Sequence, residues 1–145
     1  MFTIVYFYMK HTFLQPQEIE VFYILPALRR YLAMYMKLQG LKQNKIAEIL
    51  HIEKSAVSQY IKKKRGNNVE FSENVLNEIA KSASKIKDEF SLLGETQRLL
   101  RLIRGSGDLC RIHKNISNIP ADCEPEKINC FGDENERNRH AGICY

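Results

Sequence analysis

The segment that most constrains the fold of this chain runs from residue 41 to 65 and reads LKQNKIAEILHIEKSAVSQYIKKKR. The spacing of its apolar residues predicts two short helices, over 43–50 and 54–63, with a break at His51-Ile52. Ala47 is small enough for the two helices to cross closely at its position. The side chains that we expect to point inward are Ile46, Leu50, Ile52, Val57 and Tyr60. A small residue in the first helix, an apolar residue after the turn and apolar anchors on the second helix are what a helix–turn–helix requires.

A further helix is predicted before this motif. Residues 15–39 carry apolar side chains at close to helical spacing. Pro26 suits the first turn of a helix, where its missing N–H is not needed, and Gly40 suits a helix end. We therefore expect this helix to run from about 26 to 39, and a kinked helical extension before the proline stays open.

A second helical region follows the motif. Ser72 is a good N-cap and Gly94 a good stop, so we expect one helix over 71–93 and a short one over 96–104 that Gly105 ends. These elements together predict an all-α fold with a five-helix core. The longer helix carries an apolar stripe of Val75, Leu76, Ile79, Ala83, Ile86 and Phe90. Two interpretations of the stripe stay open: an interface between two copies of the chain, or an intramolecular cover for the core.

The two ends of the chain differ from this helical centre. Residues 1–14 are rich in β-branched and aromatic types and predict a short strand. Residues 105–145 contain few apolar residues, so we expect an irregular tail that a metal, disulfides or a partner must hold together. We divide the chain into an N-terminal extension (1–14), a helix–turn–helix domain (15–70), a helical linker and dimerisation region (71–104) and a cysteine-rich module (105–145).

The cysteines are confined to the C-terminal part of the chain. All four lie from residue 110 onward, and random placement would do this with a probability of roughly 0.004. No Cys-x2-Cys pair occurs, which argues against ordinary zinc ribbons and fingers. Four thiolates at irregular spacing suit an iron–sulfur cluster, and this is our first expectation for the module. Its ligands would be Cys110, Cys123, Cys130 and Cys144.

Other chemistry stays open for these cysteines. Zinc is the alternative metal, bound by three or four of them with His113 or His140 as a further ligand, although we expect His113 to be a surface residue. Two disulfides, or free redox thiols, are the remaining possibility. The thiol pKa near Cys110 is expected to be lowered by three basic neighbours, Arg104, Arg111 and Lys114.

The charge of the chain favours an anionic partner. Its 22 Lys and Arg residues exceed its 17 Asp and Glu residues, which gives a net charge of +5 over 145 residues. Such a balance favours nucleic acid, a membrane surface or an acidic protein. No apolar run approaches the ~18–20 residues of a membrane span, and no secretory signal is recognisable, so we expect a cytoplasmic protein with no membrane partner. Common catalytic motifs do not occur, so we do not expect an enzyme.

Several stretches of the helical region carry a family resemblance. They are Leu25-Pro26-Ala27-Leu28-Arg29-Arg30, Gln43-x-x-Ile46-Ala47-x-x-Leu50-x-Ile52, Ala56-Val57-Ser58-Gln59-Tyr60 and Arg65-Gly66. Together they resemble the Xre/Cro type of helix–turn–helix and, more narrowly, a family of predicted archaeal transcriptional regulators with a C-terminal cysteine cluster. The resemblance covers residues 16–104. It implies a regulator that binds double-stranded DNA, and it implies that Gln43 contacts phosphate.

The second short helix would supply the DNA-reading face. With Val57 and Tyr60 buried, its opposite face carries Lys54, Ser55, Ser58, Gln59 and Lys62. Gln can form two hydrogen bonds with adenine, and Ser can bond a base or a phosphate. The basic run at the end of this helix would lie near the phosphate backbone, and it consists of Lys62, Lys63, Lys64 and Arg65. His51 departs from the usual pattern, because this turn position often holds glycine and a left-handed backbone strains a histidine.

These parts give one functional hypothesis and two alternatives. In the hypothesis, a homodimeric, sequence-specific regulator binds palindromic half-sites about 34 Å apart and senses redox or iron status through its iron–sulfur cluster. In the first alternative, the same DNA-binding chain has a tail held by structural zinc or by disulfides. In the second, the chain is a protein–protein adaptor stapled by a metal.

Overall fold

A computed structural model describes residues 13–66 and 69–132, and the regular secondary structure in these ranges is helical, with no strand. The expectation of an all-α fold is therefore confirmed. A π-helical turn, Glu20–Ile24, joins the first two helices. The α-helices are α1 (Pro16–Ile19), α2 (Leu25–Leu38), α3 (Gln43–Leu50), α4 (Lys54–Ile61), α5 (Glu73–Lys85), α6 (Glu89–Gly105) and α7 (Asp108–Ile116).

The helix predicted over 26–39 is found as α2, and the extension left open before the proline is present as a helical stretch that starts at Pro16. Pro26 lies inside this stretch, where its ring would clash with the carbonyl four residues earlier in a regular α-helix. The π-helical turn ends just before it, and the amide of Leu25 donates to the carbonyl of Glu20, five residues back. The wider turn therefore accommodates the proline without ending the helix.

The core forms around α2, which packs against α3, α4 and α5. Helix α6 packs against α5 and α7, and α7 reaches back to α1. The largest side chains that are fully buried come from all of the longer elements and include Ile24, Leu28, Met36, Ile46, Val57, Ile79, Leu99 and Leu109. None of the described helices is both long enough and apolar enough to cross a membrane.

The helix boundaries expected over 71–104 are wrong. The break falls after Lys85, and Gly94 lies inside α6 rather than at a helix end. The cause is a capping box: the Asp88 carboxylate accepts a hydrogen bond from the Ser91 amide at 2.8 Å, and the Ser91 hydroxyl accepts one from the Asp88 amide at 3.0 Å. Ser72 is the N-cap residue of α5, as expected.

The apolar stripe is divided by this break. Its α5 residues Val75, Ile79 and Ala83 are buried on the side of the helix that packs against α2, and Ile86 is buried just beyond. Phe90 lies on the next helix and is 84% exposed. Leu76 is half-buried and packs against the same core, so the stripe up to Ile86 is mainly an intramolecular cover for the core.

A polar network fixes α6 to α5. The Arg98 guanidinium bonds the Glu78 carboxylate at 2.8 Å, the Glu95 carboxylate at 2.9 Å and the Ser82 hydroxyl at 2.7 Å. The fully buried Ser82 donates in turn to Glu95 at 2.6 Å. This hydrogen bond from Ser82, followed by the Arg98 bond and charge, holds the pKa of Glu95 below its usual value.

The tail expected to be irregular from residue 105 begins with helix α7. The helix follows Gly107, whose φ of +87° suits glycine, and it buries Leu109 and Ile112. His113 is also buried, so the expectation that it is a surface residue is wrong. Its Nε2–H donates to the carbonyl of Leu14 at 2.6 Å.

The strand predicted over 1–14 falls largely outside the described residues, since the description starts at residue 13. Residues 13–15 have no regular secondary structure. Leu14 is buried, and its amide donates to the Ser117 hydroxyl at 2.7 Å. The segment before α1 is therefore held against the end of α7 by two hydrogen bonds, one to Ser117 and one from His113.

Candidate functional site

Helices α3 and α4 are joined by a tight turn centred on His51. This residue has φ 51° and ψ 45°, the left-handed conformation considered above for this position. The amide of Ile52 bonds the Ala47 carbonyl at 3.1 Å, and the amide of His51 bonds the Glu48 carbonyl at 3.3 Å. This pairing is a Schellman motif, which ends a helix and sends the chain into the next element.

The turn and both helices bury the side chains that were expected to point inward, with one difference. Ile46, Leu50, Val57 and Tyr60 are buried, and Ile52 is half-buried. Ala47 is buried at 9% exposure, in agreement with a close crossing of α3 and α4. Because Val57 and Tyr60 face α2 and α3, the opposite side of α4 faces outward.

The outward face of α4 carries the residues expected there. Lys54, Ser55 and Lys62 are exposed, whereas Ser58 and Gln59 are half-buried. Gln43, at the first position of α3, is half-buried as well. The face therefore combines hydrogen-bonding side chains at its centre with cations at both ends.

Helix α4 ends at Ile61, two residues before the predicted end. Lys63 adopts a left-handed conformation with φ 58°, and the Lys64 amide bonds the Gln59 carbonyl at 2.8 Å. This second reversal ends the helix. The four cations Lys62, Lys63, Lys64 and Arg65 are exposed around it.

The segment after this basic run is fixed to α2 at Gly66. The Arg30 Nε–H donates to the Gly66 carbonyl at 2.9 Å, and Arg30 itself is buried. Gly66 has a φ of +67°, and a Cβ atom built on it would lie 2.5 Å from the carbonyl oxygen of Pro26. The site therefore requires glycine, both for its backbone conformation and for the close approach of α2.

A second candidate site is a mostly apolar cavity of about 400 Å³ beside α7. Its walls come from residues 13–16, from α7 and from the segment 119–131. Cys110, Cys123 and Cys130 all line it. Its apolar lining includes Phe13, Leu14, Leu109, Ile119, Ile128 and Phe131. Three of the four predicted metal ligands therefore share one cavity, while Cys144 and His140 lie outside the described residues.

The thiol pKa values depart from the expectation. Burial raises the pKa of Cys110 and of Cys130, and the neighbouring thiols raise it further. Lys114 lowers the pKa of Cys110 and Arg104 lowers that of Cys130, but burial is the larger effect. Arg111 is engaged elsewhere, since it donates to the Glu70 carbonyl at 2.7 Å. The expected net lowering of the thiol pKa is therefore wrong for Cys110, and the pKa of Cys130 is raised for the same reason.

The thiols do not form a ready metal site. Cys110, Cys123 and Cys130 are free, and no three His, Cys, Asp or Glu side chains within 13–66 and 69–132 are arranged to hold an ion. His113 has its Nε2 committed to the Leu14 carbonyl, so only Nδ1 remains available for a metal. The thiols thus have the chemistry and the shared location that a soft metal needs, but not the ligand geometry.

Sequence reasoning missed an ion pair next to this cavity. The Arg104 guanidinium bonds Glu20 through Nε at 2.6 Å and through Nη2 at 2.8 Å. Glu20 is buried at 9% exposure within the π-helical turn. Hydrogen bonding to Glu20 is the first cause that raises the pKa of Arg104. No local pattern predicts this pair, because its members lie 84 residues apart.

Comparison with known proteins adds no assignment to these observations. No protein-family model, no curated protein and no solved structure matches the chain.

Proposed function

We propose that the chain is a sequence-specific DNA-binding transcriptional regulator that acts as a homodimer. The observation that carries this proposal is the outward face of α4, where Ser55, Ser58 and Gln59 lie between cations while the inward face is buried. A helix with this division fits the major groove, which admits one helix and presents hydrogen-bonding base edges. The resemblance to the Xre/Cro helix–turn–helix and the net charge of +5 support the same function.

Each residue of the surface has a role in the proposed complex. Gln59 pairs with the N6 and N7 edge of an adenine, and Ser55 and Ser58 bond bases or phosphates. The exposed cations Lys54, Lys62, Lys63 and Arg65 neutralise phosphates and set the register of the helix on the duplex. Gln43 contacts phosphate at the start of α3, where the first amide groups of the helix also attract an anion.

The first prediction concerns the division between affinity and specificity on α4. After selection of a preferred duplex from a random pool, Gln59→Ala is expected to lower discrimination at particular base pairs by about 1–3 kcal/mol. Lys62→Ala is expected to weaken binding to all duplexes alike and to reduce the slope of log K against log salt by about one. Fluorescence anisotropy over a range of salt concentrations measures both effects.

Lys127→Ala is the matched control, because Lys127 is also an exposed lysine but lines the cavity rather than α4. It should leave the base preference unchanged and affect the salt slope less than Lys62→Ala. Binding that does not depend on salt, or equal effects of the two lysine variants, would contradict the proposal and favour the protein–protein adaptor.

A second candidate function is supported by the gathering of Cys110, Cys123 and Cys130 around one cavity. We infer that these thiols and Cys144 bind a metal, an iron–sulfur cluster first and structural zinc as the alternative. A cluster would supply an input from redox or iron status, whereas zinc, which has no redox chemistry, would only hold the tail. The chain's own contribution is soft thiol ligands in an apolar surrounding, which must move together to complete the site.

The second prediction tests this metal site. The chain purified without oxygen is expected to contain iron and sulfide and to absorb broadly at roughly 320–450 nm. The metal content of the triple variant Cys110→Ser/Cys123→Ser/Cys130→Ser should be at least about tenfold lower. Lys37→Ala, at an exposed lysine of α2 that does not line the cavity, should leave the metal content unchanged. Colourless protein with zinc would make the module structural, and protein with neither metal would contradict the inference. A quadruple Cys→Ser variant with an unchanged DNA-binding response to oxidant would exclude sensing.

A further inference from the structure

The guanidinium of Arg30 lies where α2 meets the segment after the basic run. Arg30 is buried, with 6% of its surface exposed. Its Nε–H donates to the carbonyl of Gly66 at 2.9 Å, one residue beyond Arg65. Its Nη1 has one weak contact, with the Met34 sulfur at 3.9 Å, and its Cζ lies 4.2 Å from the centre of the Tyr31 ring. The groups that hold this cation in place are therefore neutral.

Arg30 differs in this respect from the two half-buried arginines of the fold. Arg98 pairs with the Glu95 carboxylate at 2.9 Å, and Arg104 pairs with the Glu20 carboxylate at 2.6 Å. Arg30 is buried more deeply than either, yet the described residues give it no ion pair with a carboxylate. A buried cation without a counter-charge is unfavourable, and a hydrogen bond to one neutral carbonyl offsets only part of that cost. The surroundings of Arg30 therefore favour an anion from outside the chain.

An anion can reach part of this guanidinium. Within 13–66 and 69–132, no fully buried side-chain nitrogen or oxygen lacks a hydrogen-bond partner. The Nη2 of Arg30 has no hydrogen bond to a described residue, so it reaches the surface. A guanidinium presents its N–H groups in a fixed plane that matches the oxygens of a phosphate group. Arg30 therefore keeps an N–H group free for an anion while its Nε is fixed by Gly66.

The basic run next to Gly66 adds to this preference. Its four cations are exposed around the reversal at Lys63, which the hydrogen bond from the Lys64 amide to the Gln59 carbonyl stabilises. Clustered cations raise the local positive potential and attract anions that carry more than one negative charge. A phosphate group combines such a charge with oxygens that a guanidinium can bind.

We infer that Arg30 is the centre of a phosphate-binding site, in which its Nη2–H donates to a phosphate oxygen and the basic run neutralises the remaining charge. Where the phosphate belongs to a duplex, the inference rests on the proposed DNA binding and adds a contact from α2 to those of α3 and α4. A free phosphate compound has the same chemistry. The experiments below therefore test the site first without DNA and then with it.

Titration of the isotope-labelled full chain with pyrophosphate, followed by NMR at constant ionic strength, tests the site without DNA. The Nε–H signal of Arg30, identified by its loss in Arg30→Gln, should shift and reach saturation. The Nε–H groups of Arg98 and Arg104 are controls in the same spectrum, because both already donate to carboxylates, and they should not shift. An Arg30 signal that shifts no more than these two would overturn the inference.

Binding of the preferred duplex over a range of salt concentrations tests the second source of the phosphate. Arg30→Gln keeps a donor for the Gly66 carbonyl, because the Gln amide nitrogen has the same place along the side chain as the Arg Nε, but it carries no charge. It should weaken binding to all duplexes at least about tenfold and reduce the slope of log K against log salt by about one. Arg30→Lys keeps the charge and should retain the slope. Arg101→Gln, at an exposed arginine of α6, is the matched control and should change neither quantity.

The outcomes separate this inference from the proposed function. A shift with pyrophosphate and a reduced slope in Arg30→Gln assign the site to the phosphates of a duplex. The same shift with an unchanged slope assigns it to a free phosphate compound. A wild-type chain that binds duplexes, but without a shift of the Arg30 signal and with an unchanged slope in Arg30→Gln, overturns the inference and leaves the proposed function standing. A chain that binds no duplex contradicts the proposed function, and the pyrophosphate titration still decides whether Arg30 binds phosphate.

Discussion

Replacing Gly66 with alanine is expected to lower the free energy of unfolding by about 3 kcal/mol. Two costs add at this position. The backbone has a φ of +67°, which an L-residue adopts only with strain, and the new Cβ would lie 2.5 Å from the Pro26 carbonyl oxygen and 3.1 Å from the Ala27 Cα. Both atoms belong to the backbone of α2, so they cannot move aside as a flexible side chain would. The hydrogen bond from Arg30 to the Gly66 carbonyl would be weakened as well.

Gly40 provides the matched control for this change. It also has a positive φ, +94°, but a Cβ there would meet no heavy atom within 4 Å. Gly40→Ala should therefore cost only the backbone strain, about 1 kcal/mol. Urea denaturation followed by circular dichroism measures both variants. Equal losses for Gly66→Ala and Gly40→Ala would show that the close approach to α2 does not matter for stability.

The helix bounds that were predicted most accurately depend on residues that are close together in the sequence. The bounds of α3 agree with the expectation and the end of α4 differs by two residues, because the apolar spacing and the turn at His51 are local signals. The same local logic misplaced the break in 71–104. Gly94 is a local stop signal, but the Asp88–Ser91 capping box starts a helix six residues earlier. A glycine within an otherwise favourable helix costs only about 1 kcal/mol.

The tail shows how composition can hide a periodic signal. Leu109, Ile112 and Ile116 have helical spacing directly after Gly107, and they would have predicted α7 had the polar composition of the whole tail not outweighed them. The burial of His113 has a different origin. It depends on Leu14, whose carbonyl accepts the imidazole N–H from a position 99 residues away, and no short-range pattern contains that contact.

The two candidate sites also differ in how far local sequence patterns predict them. The outward face of α4 was predictable residue by residue, since burial of Val57 and Tyr60 decides which side chains face outward. The cysteine cluster was predictable only as a set of candidate ligands. Its cavity requires residues 13–16, α7 and the segment 119–131 to meet, and the burial that raises the thiol pKa values results from this meeting.

The ion pair of Arg104 with Glu20 also joins residues that are distant in the sequence. Its loss has the second largest expected effect on the stability of the chain. Arg104→Met is expected to lower the free energy of unfolding by about 2 kcal/mol, because it leaves the Glu20 carboxylate without its partner. Only 11% of the Glu20 side chain is exposed, so water cannot replace the two lost hydrogen bonds. The Arg104 side chain is 39% exposed, which keeps the expected loss below that of a fully buried pair.

A double-mutant cycle separates the loss of the attraction between Arg104 and Glu20 from the cost of leaving the Glu20 carboxylate buried and unpaired. Glu20→Gln/Arg104→Met should be more stable than Arg104→Met alone, since its buried amide carries no charge. Arg29→Met, at an exposed arginine of α2, is the matched control and should change stability by no more than about 0.5 kcal/mol. Thermal and urea unfolding at several salt concentrations measure the cycle.

If the double variant is less stable than Arg104→Met alone, the loss of stability in Arg104→Met comes from packing of the arginine stem. If it is more stable, the unpaired carboxylate is the cause, and the pair holds the C-terminal half of α6 to the π-helical turn beside the thiol cavity.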